Sequence, residues 1–297
     1  MLAITGANGH LGTRLLQARG ADGVRALVRS QAAAERVKAA ARGDAVDVRL
    51  LDYHQTDDLA EALQGCDFVV HLVGIIKETA ANRYQDAHEG SCRALAQAAE
   101  RSGLRRIVYL SILGAAPGSR NACLASRGAA EQILLDGPVP ATVIRVPMVL
   151  GEGDFASRAL SARARRSFNV VLRGSSLEQP IYAGDVVAAV VAALAGDDAN
   201  RRYDLAGPES LRRSALIHRA AHVLGRRTRV LSLPLGLGMM VAGVLETLSS
   251  DPPVTREMLG VLDHDDRIDT QPAVESLGLT LTPLDETLRR CLGGEPA

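Results

Sequence analysis

The sequence predicts an α/β fold: a doubly wound parallel sheet followed by a smaller C-terminal α/β lobe. Two observations carry this. Over residues 1–150 short apolar runs alternate with helical patterns, and right-handed crossovers between such strands place helices on both faces of one sheet. A glycine-rich turn, Gly6-Ala7-Asn8-Gly9-His10-Leu11-Gly12, joins the first run to the first helical pattern.

The elements follow in order. Residues 2–5 form a short apolar strand. Residues 10–19 form a helix, because Leu11, Leu15 and Leu16 recur at helical spacing. A second strand at 24–28 leads into an alanine-rich helix at 32–41, and a third at 46–51 into a helix at 56–63 with Thr56 as its cap. Residues 68–73 read as a buried strand and 84–102 as one long helix. A strand at 107–110, a helix at 122–135 and a strand at 142–146 complete the alternation. Beyond residue 150 the rhythm breaks into helices at 186–194, 214–224, 235–248 and 284–292 among short extended pieces and most of the prolines. The expected division is therefore 1–150 for the sheet domain and 151–297 for a lobe on the sheet edge, in keeping with roughly 150 residues per domain.

Composition narrows the function. Hydrophobic residues make up 47% and charged residues 23%, an ordinary globular balance. With 34 basic against 34 acidic residues, the chain lacks the basic excess of an electrostatic nucleic-acid binder. Cys66, Cys92, Cys123 and Cys291 are scattered with no CxxC pair, so neither a disulfide framework nor a metal site is expected. Scattered free cysteines suit a reducing compartment. The N-terminal residues do not read as a signal peptide and no apolar run spans a bilayer cleanly, so a cytoplasmic place is expected. Only Lys38 and Lys77 among the basic residues are lysines, and the arginine- and alanine-rich usage suggests a GC-rich bacterial genome.

The glycine turn points to a dinucleotide. Gly6 permits the tight turn, Gly9 lets backbone approach a pyrophosphate, and Gly12 allows close helix–strand packing. Asn8, His10 and Leu11 complete a helix N-terminus whose free amides and positive dipole end suit phosphate. The flanking strand and helix supply the context that a bare glycine pattern lacks. The second strand ends Leu27-Val28-Arg29-Ser30, without the carboxylate that would hold an unphosphorylated ribose. Arg29 can fork onto a 2′-phosphate and Ser30 can add a hydrogen bond, which favours NADP(H) over NAD(H). Asp52 and Tyr53, after the third strand, are placed to meet the adenine. Val73 and Gly74, after the fourth, are placed to pass beneath the cofactor.

The segments GANGHLG, LVRS, YLSILGA, VIRVP, GEGD and QPIYAGDV together resemble the atypical/extended short-chain dehydrogenase superfamily, built on the Rossmann fold. HLVGIIKE, YDLAGPES, the Pro234-Leu235 helix and PPVTREML resemble the branch named for subunit nine of the respiratory complex I alpha subcomplex, an NADPH-binding accessory subunit. The resemblance covers nearly the whole chain. It implies a Tyr-x-x-x-Lys pair on the helix after the fifth strand, assisted by a serine. The matching segment is Cys123-Leu124-Ala125-Ser126-Arg127, where both residues are replaced, and no tyrosine is followed by lysine four residues on. A thiol with a pKa near ~8.5 could release a proton, but it is too short to reach where a phenol would. Arg127 stays charged and suits ribose hydroxyls or phosphate better than proton relay. Cys123 reads more simply as a packing residue than as a reactive thiol. Ser111 and Lys77 remain as candidate catalytic groups, with Glu78 beside the latter. His71 and His88 read as structural histidines, and Asp185 as the cap of the helix at 186–194.

Residues 230–248 carry one charge, Glu246. One reading is a buried helix closing a cleft. The other is a wall for an isoprenoid or quinone-like ligand, or a contact with a membrane or membrane complex peripheral to the inner membrane, with Arg226, Arg227 and Arg229 suited to anionic headgroups. Three functions follow in order: a non-catalytic or weakly catalytic NADP(H)-binding scaffold, assembly factor or sensor linked to respiratory-chain or quinone metabolism; an NADPH-dependent oxidoreductase acting on an apolar carbonyl, enone or quinone; and a nucleotide-sugar epimerase or dehydratase, which most needs the missing tyrosine.

Overall fold

The first strand, β1 (Leu2–Thr5), lies inside a seven-stranded sheet, and burial of all four residues explains its unbroken apolar run. The computed structural model describes residues 1–41, 46–79, 82–196, 200–248, 252, 254–261 and 263–293. From β1 the chain runs through α1 (His10–Arg19), β2 (Val24–Val28), α2 (Gln31–Ala41), β3 (Asp47–Leu50), α3 (Thr56–Ala62) and β4 (Phe68–His71). A π-helical turn (Gln85–Gly90) opens α4 (Ser91–Ser102), followed by β5 (Arg106–Ile112), α5 (Ala122–Leu135) and β6 (Ala141–Val146). Then come β7 (Val149–Leu150), α6 (Phe155–Ala164), β8 (Phe168–Leu172), β9 (Leu177–Glu178), β10 (Ile181–Tyr182), α7 (Ala183–Ala195), β11 (Arg201–Asp204) and β12 (Leu211–Arg212). The chain continues through α8 (Arg213–Val223), β13 (Arg229–Leu233), α9 (Leu235–Leu248), α10 (Arg256–Val261), α11 (Gln271–Leu277) and α12 (Leu284–Leu292).

Two compact units result. The first is Met1–Arg145 with Val187–Tyr203, and the second is Val146–Val186 with Asp204–Ala297. The division is discontinuous: α7 and β11 carry the chain back through the first unit.

In the first unit the sheet order is β11-β6-β5-β4-β1-β2-β3. The pairs β5–β4, β4–β1, β1–β2 and β2–β3 are parallel. The chain winds outward from β1 to β3, then returns to place β4 on the other side of β1. That reversal opens a crevice at the C-terminal ends of β1 and β4, where ligands bind in open α/β sheets. Leu95, Ile107, Tyr109 and Leu134 are fully buried in the core on one face. Arg25 ties β2 to β3 through Asp47 at 2.6 Å.

Local chemistry sets several element ends. Asn121 caps α5 by accepting from the Leu124 amide at 3.1 Å. Thr56 does not cap α3; Gln55 holds the cap position without a side-chain bond, and the Thr56 hydroxyl donates to Gln97 instead. The helix expected over 84–102 begins as the π-helical turn, which brings His88 to a fully buried position.

The second unit holds three two-stranded ladders: β7–β10 and β8–β13 are parallel, and β9–β12 is antiparallel. Its core joins Leu150, Leu160, Val171, Leu216, Ile217, Leu284 and Leu288. Asp185 lies inside α7 rather than before it, because the helix starts at Ala183. Its carboxylate accepts from the Thr282 amide at 2.7 Å and hydroxyl at 2.8 Å, pinning the approach to α12. A cavity of about 310 Å³ is lined by Met148, Phe155, Leu160, Val171, Leu216, Leu235 and Leu259, with Arg163, Glu178 and Arg213 among them. The buried-helix reading of 235–248 does not hold: within α9 only Ala242 is buried, while Met240 is 62% and Leu248 78% exposed. Among the described residues no helix is long and apolar enough to cross a membrane.

Candidate functional site

The glycine turn stands at the end of β1, at the crevice. Gly6 adopts φ +67°, a left-handed conformation that glycine takes without strain. A Cβ on Gly12 would lie 2.7 Å from the Ala7 backbone, so helix and turn meet too closely for any side chain. Gly9 is exposed and would meet only the Gly6 carbonyl, which leaves its outer side open to a ligand. The first intrahelical bond of α1 runs from the Thr13 amide to the Gly9 carbonyl at 2.9 Å. The amides of His10, Leu11 and Gly12 therefore project from the helix end. No acidic residue lies in the first turn to offset the dipole. Asn8 is partly exposed and His10 is exposed beside these amides. The donor set fits a diphosphate.

At the end of β2, Arg29 and Ser30 are both exposed. The Arg29 guanidinium lies 5.9 Å from the Tyr53 ring centroid and donates to Asn82 at 3.2 Å. The Ser30 hydroxyl accepts from the Ala33 amide at 3.3 Å and so caps α2. Asp52 is exposed and accepts from the His54 amide at 3.1 Å. Tyr53 is placed differently from the sequence expectation. Its ring is buried, its hydroxyl donates to the Leu27 carbonyl at 2.7 Å and accepts from the Gly6 amide at 2.9 Å. Burial pushes its pKa up to about 12. Tyr53 braces the glycine turn from beneath instead of presenting a face to a base.

After β4 the chain crosses the crevice through Val73 and the exposed Gly74. The next residues are fastened to the start of the following helix. His88 Nε2 accepts from the Ile75 amide at 3.1 Å, and the Tyr84 hydroxyl donates to the Ile76 carbonyl at 2.9 Å. Glu78 accepts from the Tyr84 amide at 2.8 Å. Lys77 is partly exposed on this segment. The Ser126 hydroxyl donates to the Cys123 carbonyl at 3.1 Å, so at 2.7 Å it accepts from His88 Nδ1–H. His71 is built the same way: Nδ1 accepts from Thr5 at 2.8 Å, and Nε2–H donates to Ser91 at 3.3 Å. Burial first, and then the nearby Arg127 charge, push both imidazoles down to about 3, so both are neutral.

Cys123 and Arg127, the residues expected to stand in place of a Tyr-x-x-x-Lys pair, lie inside the protein. Cys123 is fully buried, and its thiol contacts the Ile75 carbonyl at 3.7 Å. Arg127 is buried and donates to the Tyr109 hydroxyl at 3.0 Å and the Leu110 carbonyl at 3.2 Å. Its Nε has no hydrogen-bond partner. Its terminal nitrogens fill the space beneath Gly74, where any Cβ would overlap them. Ser111 is buried and donates to Glu131 at 2.6 Å. Glu131 is fully buried, holds Arg145 at 2.5 Å and contacts Arg202 at 3.2 Å. The structure thus gathers Cys123, Arg127 and Ser111 around α5 and β5, and Lys77 lies on the loop after β4. Sequence reasoning missed the roles of Tyr109, Asn82 and Glu131. Each is set by a partner distant in sequence, and only the Asn121 cap carried a local signal.

Comparison with known proteins supports this reading of the fold and cofactor. The sequence model of the NAD(P)H-binding family matches residues 6–198. The chain is 26% identical over 292 residues to the mitochondrial NADH dehydrogenase [ubiquinone] 1 alpha subcomplex subunit 9 of Arabidopsis thaliana, covering 95% of this chain and 73% of that protein. It is 29% identical over 266 residues to the ceramide reductase of Caulobacter vibrioides, covering 86% of this chain and 81% of that protein. Among solved structures, the NADPH complex of the Escherichia coli NADPH-dependent quinone oxidoreductase QOR2 superposes with a TM-score of 0.75 at 22% identity, covering 97% of this chain and 98% of that one. The glycine turn, the sheet reversal beside it and the family match lead to one conclusion: the chain belongs to the NAD(P)H-binding family.

Proposed function

We propose that the protein binds NADP(H) and holds it without turnover, or with only weak turnover, as a scaffold, assembly factor or redox-state sensor linked to respiratory-chain or quinone chemistry. One observation carries this. Cys123, Arg127 and Ser111 are each buried and committed to a partner within the fold, so none is free to donate a proton to a substrate. The kinship with a complex I subunit supports a structural role. The amides of residues 10–12 take the pyrophosphate, Arg29 and Ser30 the 2′-phosphate, and Asp52 the adenosine end. Val73 and Gly74 run beneath the nicotinamide, and Arg127 supports that floor from below.

The test is an anaerobic titration with NADPH and NADH, read by the cofactor's own fluorescence, which is clean because the chain has no tryptophan. A saturable NADPH signal that persists after a short-chain quinone is added is the expected result. Catalytic decay of that signal overturns the scaffold reading. Arg29→Ala should weaken NADPH binding ~10- to 100-fold and leave NADH nearly unchanged, as for loss of charge-assisted phosphate bonds. Equal weakening of both would remove Arg29 from phosphate recognition.

A second reading, an NADPH-dependent reductase of an apolar carbonyl, enone or quinone, is favoured by the apolar cavity of about 310 Å³ in the second unit, which falls in the size range of small-molecule sites. The names of the ceramide reductase and quinone oxidoreductase relatives point the same way. Decay of the NADPH signal with quinone is the result that selects it.

A further inference from the structure

A helix on a protein surface normally turns its polar side to water. α9 turns an apolar side to water instead. Leu237, Met240, Val241, Val244 and Leu248 follow one another at helical spacing and are 43%, 62%, 50%, 53% and 78% exposed. The inward side mixes small and large residues: Ala242 is buried, Leu235, Met239 and Leu245 are half-buried, and Gly238 lies against Leu172 so closely that a Cβ would overlap it. The adjoining β8–β13 ladder continues the pattern. Arg229 pairs with Phe168 and Leu231 with Val170, so these four share one face. Phe168 is 53% exposed, and Val170 and Leu231 are each 49% exposed.

The two segments that form the ladder carry charge of one sign, while Glu246 of α9 is paired with Arg256, and Asp263 and Asp265 with Arg173 just after β8. Residues 155–177 and 226–245 contain no aspartate or glutamate, although the whole chain is neutral. Arg165 and Arg166 lead into β8, Arg226 and Arg227 into β13, and all four are exposed, as is Arg229. The two segments touch: Arg226 donates to the Arg165 carbonyl at 3.5 Å, and the Arg229 amide to the Ser167 carbonyl at 2.9 Å.

We propose that the second unit docks on an anionic lipid bilayer surface, with the outer side of α9 and the exposed ladder face in the acyl boundary and this arginine cluster on the phosphate headgroups. The chemistry selects that occupant. Nucleic acid would satisfy the arginines and leave the apolar stripe in water. A second copy packed face to face would bring like charges together. A bilayer surface offers apolar depth and negative charge side by side. α9 has 14 residues, too few for the ~20 that span a bilayer, so it lies in the surface. The docking surface uses only second-unit residues and stands whether or not the cofactor reading holds.

The experiment is flotation of the full chain with phosphatidylcholine vesicles, with and without phosphatidylglycerol. The wild type should float with the anionic vesicles and be released progressively as salt rises. Met240→Glu with Val244→Glu should weaken binding ~10-fold or more at every salt concentration. Arg226→Glu with Arg229→Glu should remove only the preference for phosphatidylglycerol. Unchanged circular dichroism and thermal midpoints verify that both variants fold. A wild type that floats with neither vesicle overturns the proposal, and so does a Met240/Val244 variant that floats like wild type. A wild-type dimer in the ultracentrifuge that this variant splits, without vesicle binding, would replace the bilayer by a second copy.

Discussion

His88 and His71 show how single buried residues set the chemistry beneath the crevice of the first unit. Each imidazole bridges two elements and is held neutral, down to about 3, by burial and by the Arg127 charge. An unfolded histidine titrates near ~6.5. Between that value and about 3 the unfolded chain takes up protons that the folded protein refuses. The stability from each neutral histidine is therefore complete above pH ~6.5 and is lost as pH falls toward the folded value, by about 2 kcal/mol per histidine at pH ~5. In His88→Asn, urea unfolding should show a pH 7 to 5 decline smaller than wild type by about 2 kcal/mol, because one of the two groups no longer titrates. An unchanged slope would mean that His88 is protonated in the folded protein. The sequence identified both histidines as structural. It did not show that they flank the same cation, because Arg127 lies on a helix whose depth depends on Tyr109 and Leu110.

Elements with one clear period were legible, and elements governed by partners were not. α1, α5, α9 and α12 occupy the spans that spacing and capping residues predict. The π-helical turn was not legible, because one extra residue in a turn leaves the surrounding apolar period almost intact. The exposure of α9 was not legible for a different reason: apolar composition argues for burial, and only the packed fold shows that, among the described residues, one side of this helix is left exposed. α5 also depends on a contact that periodicity hides. Gly128 faces the turn at residues 116–117, and a Cβ there would overlap the Ala116 and Pro117 backbone. Gly128→Ala should therefore destabilise by ~1–3 kcal/mol in urea unfolding, the range for overpacking. Gly118→Ala, with open space around its Cβ, should stay within ~0.5 kcal/mol. Equal effects at both positions would mean that the turn yields easily.

At the scale of the whole molecule, the βα rhythm of the first half was enough to read the sheet and its glycine turn. The return of α7 and β11 was beyond reach, because an edge strand such as Arg201–Asp204 pairs with a neighbour far away in sequence. The polar interior of the site was likewise only half readable. Cys123 and Arg127 stood out as replacements, but the carboxylate that holds Ser111 did not, since Glu131 looks like any helical glutamate until Arg145 and Arg202 close over it. The passage of the chain back into the first unit at Val187–Tyr203 governs how the gene can be cut. A fragment ending near residue 150 would lack the β11 edge strand and the Arg202 guanidinium, leaving β6 with an open edge and Glu131 with one cation fewer. Neither half of the reading frame encodes a complete unit. Fragment libraries, split reporters and domain exchanges should therefore keep 187–203 with the N-terminal segment, as two exons of one piece.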